Sequence, residues 1–419
     1  MKYIVVLDCN NFFVSCERLF RPDLRRLPVI VLSSNDGCVV ARSQEVKDMG
    51  VPMGIPVFQI KDIIKDKDIT TFSSNFTLYR DISARVMTVL RGQLSIIEQY
   101  SIDEAFFEIE CESEAALNAL LRRLKQIVEQ RVGVPVSLGA ASTKTQAKYA
   151  NRLAKKSPDG VMVTTDEWWK KEASNVFLCD IWGVGRRLGQ AYSKYKIEMV
   201  GDLLSAPKLF VAEQFGIVGV RLQAELSGLP QYPVGVLTEL PRSLMSTRSF
   251  AEVTHSKAAL KDALSWHLHQ VSAELRAKGL VAASLSVIMR PGRFSNYSLY
   301  RGSQTRVLAP GTANTARLLC EVNKVVEELF RVDVPYKKAG IVLSQLRPKN
   351  MVSGTLWAQS EAVFLQDKLE DLLDTLRSTH GKNVIQQGRY ADSQIWQSKR
   401  SCASPAYTTR WSEVALVRA

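Results

Sequence analysis

Short apolar runs alternate with amphipathic stretches along the first third of the chain. The β-branched run Tyr3–Leu7 has the length and composition of a buried strand, and it would deliver Asp8 at its carboxyl end. A second apolar run, PVIVLSS, begins at Pro28 and is followed by an Asn-Asp-Gly turn and a helical segment. The pattern predicts a small α/β unit inserted after the first strand.

The pattern after residue 75 again mixes the two kinds of element. Asp103 and Glu104 lie where two predicted strands of the segment SIIEQYSIDEAFFEI meet. A strand of small residues and a helix with many cations follow this segment. Alternation of strands and helices favours a mixed sheet with helices packed on it. The predicted helices are residues 76–92, 113–131 and 145–156, and the predicted strands lie within 95–109 and 134–141.

The second half of the chain changes pattern twice. Residues 178–230 show short helices interrupted by Gly-Val-Gly and Phe-Gly-Ile, with no convincing strand, which indicates a small helical domain. From about residue 242 the order strand, helix, strand, strand, helix, strand predicts a second α/β module. His267 and His269 fall on an amphipathic helix of this module, where we expect ordinary surface positions. The chain after about residue 346 predicts a partly ordered tail.

Composition and charge narrow the classes of function. The chain has 55 Lys and Arg against 42 Asp and Glu, a formal net charge of +13, which suits nucleic acid or an anionic membrane surface. Residues 242–338 hold 15 basic and 7 acidic residues, so one module carries much of the excess. Seven scattered cysteines without C-x-x-C spacing indicate neither a disulfide framework nor a zinc site. Without a signal-peptide pattern or a membrane-spanning apolar run, we expect a cytoplasmic protein with no membrane partner.

Three acidic residues are the candidate chemistry. Asp8 at one strand end and Asp103–Glu104 between two strands would place three carboxylates at one edge of a sheet. Mg²⁺ prefers such hard oxygen ligands, together with water and substrate phosphates. A pair of these ions suits attack by a 3′-hydroxyl on a nucleoside triphosphate. Taken by itself, an acidic pair between strands is more often a simple turn.

The segments around these acids resemble known motifs. DCNNFFVSCE from Asp8 and YSIDEAF from Tyr100 are similar to the two catalytic motifs of Y-family DNA polymerases. STKTQAKYANRLAKK from Ser142 resembles the lysine-bearing helix of that family. The stretches FRPDL, LSSNDGCVVAR, FSSNFTLYRDIS, WGVGRR and SPAYTTR resemble the UmuC-type branch of the family and its mobile-element relatives. The resemblance covers nearly the whole chain.

The resemblance implies a multidomain α+β fold. It is that of a right-hand polymerase with a ferredoxin-like palm, small fingers, a helical thumb that contains a helix-hairpin-helix, and an α/β little-finger domain. The implied bounds are 1–27 and 76–165 for the palm, 28–75 for the fingers, 166–235 for the thumb, 242–346 for the little finger, and 347–419 for a C-terminal partner-binding region.

The resemblance also implies the site residues. Asp8, Asp103 and Glu104 would be catalytic and would hold two Mg²⁺ ions, with the Cys9 carbonyl as a further metal ligand. The implied nucleotide-binding residues are Phe12, Phe13, Lys47 and Lys155, and the implied DNA-binding residues are Gly183, Gly185, Arg186 and Arg187. Phe13 stands where the family places an aromatic steric gate beneath the incoming sugar, although both rings could simply pack a helix start against the sheet.

The implied function is error-prone DNA-template-directed DNA synthesis in translesion synthesis and SOS mutagenesis, within a polymerase V-type complex. The implied partners are primer-template DNA, deoxynucleoside triphosphates, a processed UmuD-type accessory dimer and a recombinase filament. Leu356–Trp357 stands where relatives carry a paired Leu-Phe clamp motif, so sliding-clamp binding stays open. Two other interpretations remain: a nucleotidyl cyclase with the same palm chemistry, and a DNA-binding repair factor without catalysis.

Overall fold

The computed structural model describes residues 1–235, 240–292, 295, 297, 300, 302–351, 360–380, 385 and 398–414. The chain forms two compact units. The first comprises Met1–Ser33, Gly37–Thr238 and Cys402–Ala419, and the second comprises Ser34–Asp36 and Glu239–Ser401. None of the described helices combines the length and apolar composition that crossing a bilayer requires.

The first unit begins with a strand, as its apolar run predicts. Its strands β1 to β8 are Lys2–Cys9, Val29–Leu32, Val39–Arg42, Thr70–Ser73, Ile97–Gln99, Glu104–Glu110, Val136–Ala141 and Val161–Val163. Its helices α1 to α10 are Phe12–Phe20, Gln44–Asp48, Lys61–Asp66, Phe76–Arg91, Glu114–Val132, Lys144–Ala154, Asp166–Glu172, Arg186–Ser193, Val200–Ser205 and Lys208–Leu226. The predicted helices and strands of this region are therefore present, with shifts of a few residues at their ends.

Two sheets organise the first unit. The larger sheet has the order β5-β6-β1-β7-β8, and β1 pairs antiparallel with both β6 and β7. The smaller sheet has the order β3-β2-β4, with β2 parallel to β4. The inserted α/β unit that the sequence predicts corresponds to this smaller sheet and its short helices.

The alternation of side chains along β1 decides which face Asp8 occupies. Odd-numbered side chains from Tyr3 to Cys9 belong to the large core that also holds buried residues of α4 and α5. Ile4 and Val6 face the other way and pack with Phe106 and with Ala147 of α6. Because side chains of a strand point to alternate faces, Asp8 lies on the face that α6 covers.

A glycine allows α6 to approach the sheet closely. A Cβ atom at Gly139 of β7 would lie 2.1 Å from the backbone nitrogen of Asn151 and 2.5 Å from the carbonyl oxygen of Ala147. No side chain fits in that space, so the small residues of the predicted strand are a packing requirement. The Asn151 side chain also donates a hydrogen bond to the Ser137 carbonyl at 2.8 Å. The helix is thereby fixed against the strand beside β1.

The second unit has the predicted order of strands and helices. It contains β9 (Ser243–Thr254), α11 (Lys257–Ala277), β10 (Leu280–Pro291), β11 (Ser303–Thr312), α12 (Thr315–Leu329), β12 (Tyr336–Pro348) and α13 (Ser360–His380). The strands form an antiparallel sheet of order β11-β10-β12-β9. Its core lies between this sheet and helices α11 and α12.

The expected surface positions of the two histidines on α11 are wrong. His267 is 1% exposed and His269 is 7% exposed. Helix α11 packs against the sheet and against α12, so more of its circumference is covered than the single apolar stripe of a surface helix. The Ser246 hydroxyl lies 2.7 Å from Nδ1 of His267 and satisfies one of its ring nitrogens.

Burial of His267 predicts a loss of stability in acid. Burial lowers the pKa of His267 to about 3, and the positive charge of Arg248 adds to the shift. In the unfolded chain the ring titrates near about 6.5, so between these values the unfolded state binds more protons. The free energy of unfolding should therefore fall as the pH falls through this range, by at most about 1.4 kcal/mol per pH unit.

Urea unfolding at about pH 7 and about pH 5 measures this effect. We expect His267→Gln to lose less stability on acidification than the unchanged chain. His255 is exposed, so His255→Gln is the matched control and should behave as the unchanged chain does. An equal loss in the unchanged chain and in His267→Gln would show that His267 is not the group responsible.

Candidate active site

The strand register brings the predicted acids together. Strands β1 and β6 pair so that Asp8 lies directly opposite Glu104, and Cβ atoms of such partners are about 4.5–5.5 Å apart. The Cys9 amide donates a hydrogen bond to the Asp103 carbonyl at 2.9 Å. The three acids therefore meet at one edge of the large sheet, although almost a hundred residues separate the two strands along the chain.

Two lysines pair with these carboxylates. The Lys155 ammonium lies 2.7 Å from Oδ1 of Asp8, and the Lys148 ammonium lies 2.5 Å from Oε1 of Glu104. Lys148 belongs to α6 and Lys155 follows its last residue. Because residues four and seven apart lie on one face of a helix, a helix packed on this side of the sheet directs such lysines at the strand-end acids.

Burial and the neighbouring carboxylate set the protonation of Asp8. Burial raises the pKa of Asp8 to about 6, against the opposing charge of Lys155, and the adjacent Glu104 raises it further. Burial also acts to raise the pKa of Glu104, but the hydrogen bonds from Lys148 and Asp8 outweigh it and leave that pKa lowered. The two carboxyl groups thus share a site where a second negative charge is unfavourable.

This arrangement fits a divalent cation. The buried Asp8 carboxylate, the half-buried Glu104 carboxylate and the nearby Asp103 provide hard oxygen donors, and a cation would offset the cost of burying charge that raises the pKa of Asp8. Across the described residues no three His, Cys, Asp or Glu side chains already converge on one point. Asp8 and Glu104 bind lysines, and the Ser101 hydroxyl donates to Oδ1 of Asp103 at 2.6 Å. Ligation of an ion requires these side chains to exchange their partners.

The turn between β1 and α1 positions the predicted gate residue. Asn11 adopts the left-handed conformation at the start of α1, with φ 48° and ψ 43°, which asparagine tolerates better than most residues. The side-chain carbonyl of Asn10 accepts a hydrogen bond from the Ser137 hydroxyl at 2.9 Å. The Ser15 hydroxyl donates to the Asn10 carbonyl at 2.7 Å. Helix α1 therefore starts immediately beside Asp8, in a fixed orientation.

Phe12 and Phe13 differ in their surroundings. Phe12 is buried in the large core. Phe13 is half-buried and stacks on the ring of Tyr79, with ring centroids 4.5 Å apart and an interplanar angle of 13°. The Phe76 ring meets Phe13 edge-on at 5.7 Å. Both supporting rings come from the first turn of α4, so two helices build the aromatic cluster beside the acids.

Lys47 also faces this edge of the sheet. Its ammonium donates a hydrogen bond to the side-chain carbonyl of Asn11 at 2.5 Å. Burial lowers the pKa of Lys47, and the positive charges of Lys155 and Arg42 lower it further. Lys47 and Lys155 therefore belong to one basic group next to Asp8, which suits a polyanionic triphosphate.

The predicted DNA-binding residues form an open hairpin before α8 and the first two positions of that helix. Gly183 has φ 91°, and Gly185 occupies the N-cap of α8. A Cβ atom at either glycine would meet no atom of the described chain within 4 Å, so the backbone is accessible. The Val184 side chain is buried and anchors the hairpin. The residues left exposed are Gly183, Gly185, Arg186 and Arg187.

Two contributors to the site were missed by the sequence analysis. Lys148 pairs with Glu104, and its ammonium also lies 5.3 Å from the ring centroid of Tyr100 and 5.9 Å from that of Trp182. Lys144, one turn earlier, forms a buried pair with Glu98. The four-residue spacing of Lys144 and Lys148 in the lysine-bearing segment was the available signal, because it places both cations on one helix face.

Comparison with known proteins decides the family. Residues 7–152 match the model of the impB/mucB/samB family, and residues 241–356 match that of its C-terminal domain. The chain is 31% identical to the protein UmuC of Salmonella typhimurium over 98% of this chain and 99% of that protein. The chain belongs to the impB/mucB/samB family. The Escherichia coli member MucB is also 31% identical, over 98% of both chains.

Other comparisons place this impB/mucB/samB member among the Y-family polymerases. It is 26% identical to DNA polymerase IV 1 of Halalkalibacterium halodurans over 69% of this chain and 70% of that one. A solved Y-family DNA polymerase chimera of Dbh and Dpo4 matches with a TM-score of 0.66 and 19% identity, covering 84% of this chain and all of the chimera. The predicted Y-family fold and enzyme class, a DNA-directed DNA polymerase, are confirmed.

The comparisons leave one segment without a known role. Residues 367–417 match a domain of unknown function, DUF4113. The structure describes parts of it, including residues 398–414. The Leu356–Trp357 pair, where a clamp motif was considered, lies outside the described residues. The division into palm, fingers, thumb, little finger and partner-binding region stays a prediction.

Proposed function

We propose that this polymerase catalyses error-prone translesion synthesis as the catalytic subunit of a polymerase V-type complex, using two Mg²⁺ ions held by Asp8, Asp103, Glu104 and the Cys9 carbonyl. The observation that carries the proposal is the pairing of Asp8 with Glu104 at a sheet edge that also holds Asp103. A family member with this arrangement has the oxygen donors that nucleotidyl transfer needs.

The residues around the acids have separate roles in the proposal. Mg²⁺, when bound, would activate the primer 3′-hydroxyl and offset negative charge on the triphosphate. Lys155 and Lys47 hold the triphosphate by direct charge-assisted contacts. Lys155 must leave Asp8 to do so, and this exchange releases a carboxylate as the substrate binds. The Phe13 ring excludes a 2′-hydroxyl from the sugar position, and Phe12 supports the start of the same helix.

DNA binding rests on exposed basic and backbone groups. The amides of the open hairpin at Gly183 and Gly185 would contact a DNA phosphate at the start of α8, with charge added by Arg186 and Arg187. Such contacts hold a duplex without reading its sequence, and binding should weaken steeply with salt. A processed UmuD-type dimer and a recombinase filament are the proposed protein partners, in the cytoplasm.

Primer extension on an intact and an abasic template tests the function. We expect incorporation to require primer-template and Mg²⁺, to stop when EDTA is added, and to continue past the abasic site when the proposed protein partners are present. The intact template controls for general polymerase activity. Absence of extension under every condition would overturn the proposal, and nucleotide turnover without any primer-template would favour the cyclase alternative.

A further inference from the structure

The short segment Cys402–Tyr407, here called the C-terminal strap, packs on strands and helices of the first compact unit. Its first residue is hydrogen-bonded to the end of β4: the Ser73 amide donates to the Cys402 carbonyl at 2.8 Å, and the Cys402 amide donates to the Ser73 hydroxyl at 3.0 Å. Ala403 forms a parallel bridge with Ser73. The strap therefore continues the smaller sheet beyond β4.

The strap next binds the beginning of α4. The side-chain amide of Asn75 donates to the Ser404 hydroxyl at 3.0 Å and reaches the Pro405 carbonyl at 3.3 Å. The carbonyl of the same Asn75 side chain caps α4 by accepting from the Leu78 amide at 3.3 Å. One buried side chain thus holds both the strap and the helix start that carries Phe76 and Tyr79.

The strap also binds α1. The Ser404 hydroxyl donates to Oε1 of Glu17 at 3.1 Å, and the Tyr79 hydroxyl donates to the same oxygen at 2.6 Å. Glu17 and Tyr79 are both fully buried, where a carboxylate depends strongly on its hydrogen-bond donors. The Tyr407 ring stacks on Phe20 of α1, with centroids 4.5 Å apart and planes 4° apart.

These contacts join the two helices that build the aromatic cluster around Phe13. Helix α1 carries Phe13 and Glu17, and α4 carries Tyr79, whose ring stacks on Phe13 and whose hydroxyl binds Glu17. The contacts described above fall on α1, on the N-cap of α4 or on the strand that leads into α4. Ser404, Glu17 and Tyr79 form a chain of hydrogen bonds. The strap lies at one end of this chain, and the Phe13 ring, which stacks on Tyr79, lies at the other.

We propose that the C-terminal strap is a specificity element that fixes the Phe13 ring and so sets the discrimination between deoxyribonucleotides and ribonucleotides. This inference rests on the proposed role of Phe13 as the sugar gate. A steric gate discriminates only if its ring cannot move away from a 2′-hydroxyl, and the strap supplies the constraint by tying α1 to the start of α4. The inference gives the strap, which lies within the domain of unknown function, a role in substrate choice. Ser404 and Tyr407 are positioning residues, since they act through Glu17 and Phe20.

The test compares kcat/KM for a deoxynucleotide and for the matching ribonucleotide in primer extension by the full chain. Ser404→Ala and Tyr407→Ala should each raise the ratio of ribonucleotide to deoxynucleotide use. The double strap variant, which carries both substitutions, should raise this ratio by about tenfold. The conservative variants Ser404→Thr and Tyr407→Phe, which keep the hydroxyl and the ring, should restore the original preference. Trp411→Ala is the matched control, because Trp411 is 95% exposed and lies just beyond the strap.

The Phe13→Ala variant separates this inference from the gate itself. Phe13→Ala should raise the relative use of the ribonucleotide by more than the strap variants do. Combining the strap substitutions with Phe13→Ala should raise it little further. If Phe13→Ala leaves sugar selectivity unchanged, the proposed gate is wrong. If Phe13→Ala relaxes sugar selectivity while the strap variants keep it, the gate stands and the strap inference is overturned. The same conclusion follows if the strap variants lower kcat/KM equally for both nucleotides.

Hydrogen exchange provides a readout that does not depend on activity. In the double strap variant the amides at the start of α4, near Asn75 and Leu78, should exchange faster, because the cap loses one of its fixed partners. Amides of α5 serve as the internal control and should be unaffected. Unchanged exchange at the start of α4 would contradict the claim that the strap holds this helix.

Discussion

Replacing Asp103 and Glu104 together by alanine is expected to reduce nucleotide incorporation by roughly 10³-fold or more, while DNA affinity is kept. The substitution removes two of the three carboxylates at the sheet edge and leaves the Lys148 ammonium without its partner. The remaining Asp8 cannot by itself provide the oxygen donors for the two proposed ions. DNA binding should persist, because removing negative charge from a basic site does not weaken its attraction for phosphate.

Single-turnover incorporation and fluorescence anisotropy with labelled primer-template measure the two quantities on the same preparation. The matched control is Glu108→Ala with Glu110→Ala, which removes two acids from the other end of the same strand and should leave incorporation unchanged. Retained incorporation in the Asp103, Glu104 variant would mean that these carboxylates are not catalytic.

Local patterns predicted most of the elements but not the burial of His267 and His269. The apolar run of β1 predicted a strand that ends at Asp8, and the polar junction at Asp103 and Glu104 was predicted between two strands. The direct pairing of Asp8 with Glu104 could not be predicted from pattern, because register across two distant strands is set by tertiary packing. The motif resemblance supplied the link that periodicity could not.

The contacts that fix the site are the part that sequence reasoning missed. Lys155 was predicted from the family's helix, yet Lys148 pairs with Glu104 and carries no distinguishing signal beyond its helical spacing. The C-terminal strap has no periodicity, so it could only be predicted as part of a partly ordered tail. Single side chains such as Ser404 and Asn75 make its contacts, and hydrophobic pattern does not encode pairings of this kind.

A buried ion pair beside the active site should matter more for stability than any exposed pair. The Lys144 ammonium lies 2.7 Å and 2.6 Å from the two carboxylate oxygens of Glu98, and the two residues are only 5% and 7% exposed. The Gly235 amide also donates to Glu98 at 3.1 Å. Lys144→Met leaves a buried carboxylate without its counter-charge, which should cost about 3–5 kcal/mol of unfolding free energy.

Urea unfolding of three variants tests this expectation. Lys144→Met with Glu98→Gln should recover most of the loss, because the neutral amide no longer needs a cation. Lys2→Met is the matched control: the Lys2 ammonium lies 2.8 Å from Glu108, but the Lys2 side chain is 58% exposed, so solvent screens the pair and little loss of stability is expected. Equal losses in Lys144→Met and Lys2→Met would show that solvent screens the Lys144 pair as well. A large loss in Lys144→Met alone would show that α6 is held to the sheet by charge as well as by close packing at Gly139.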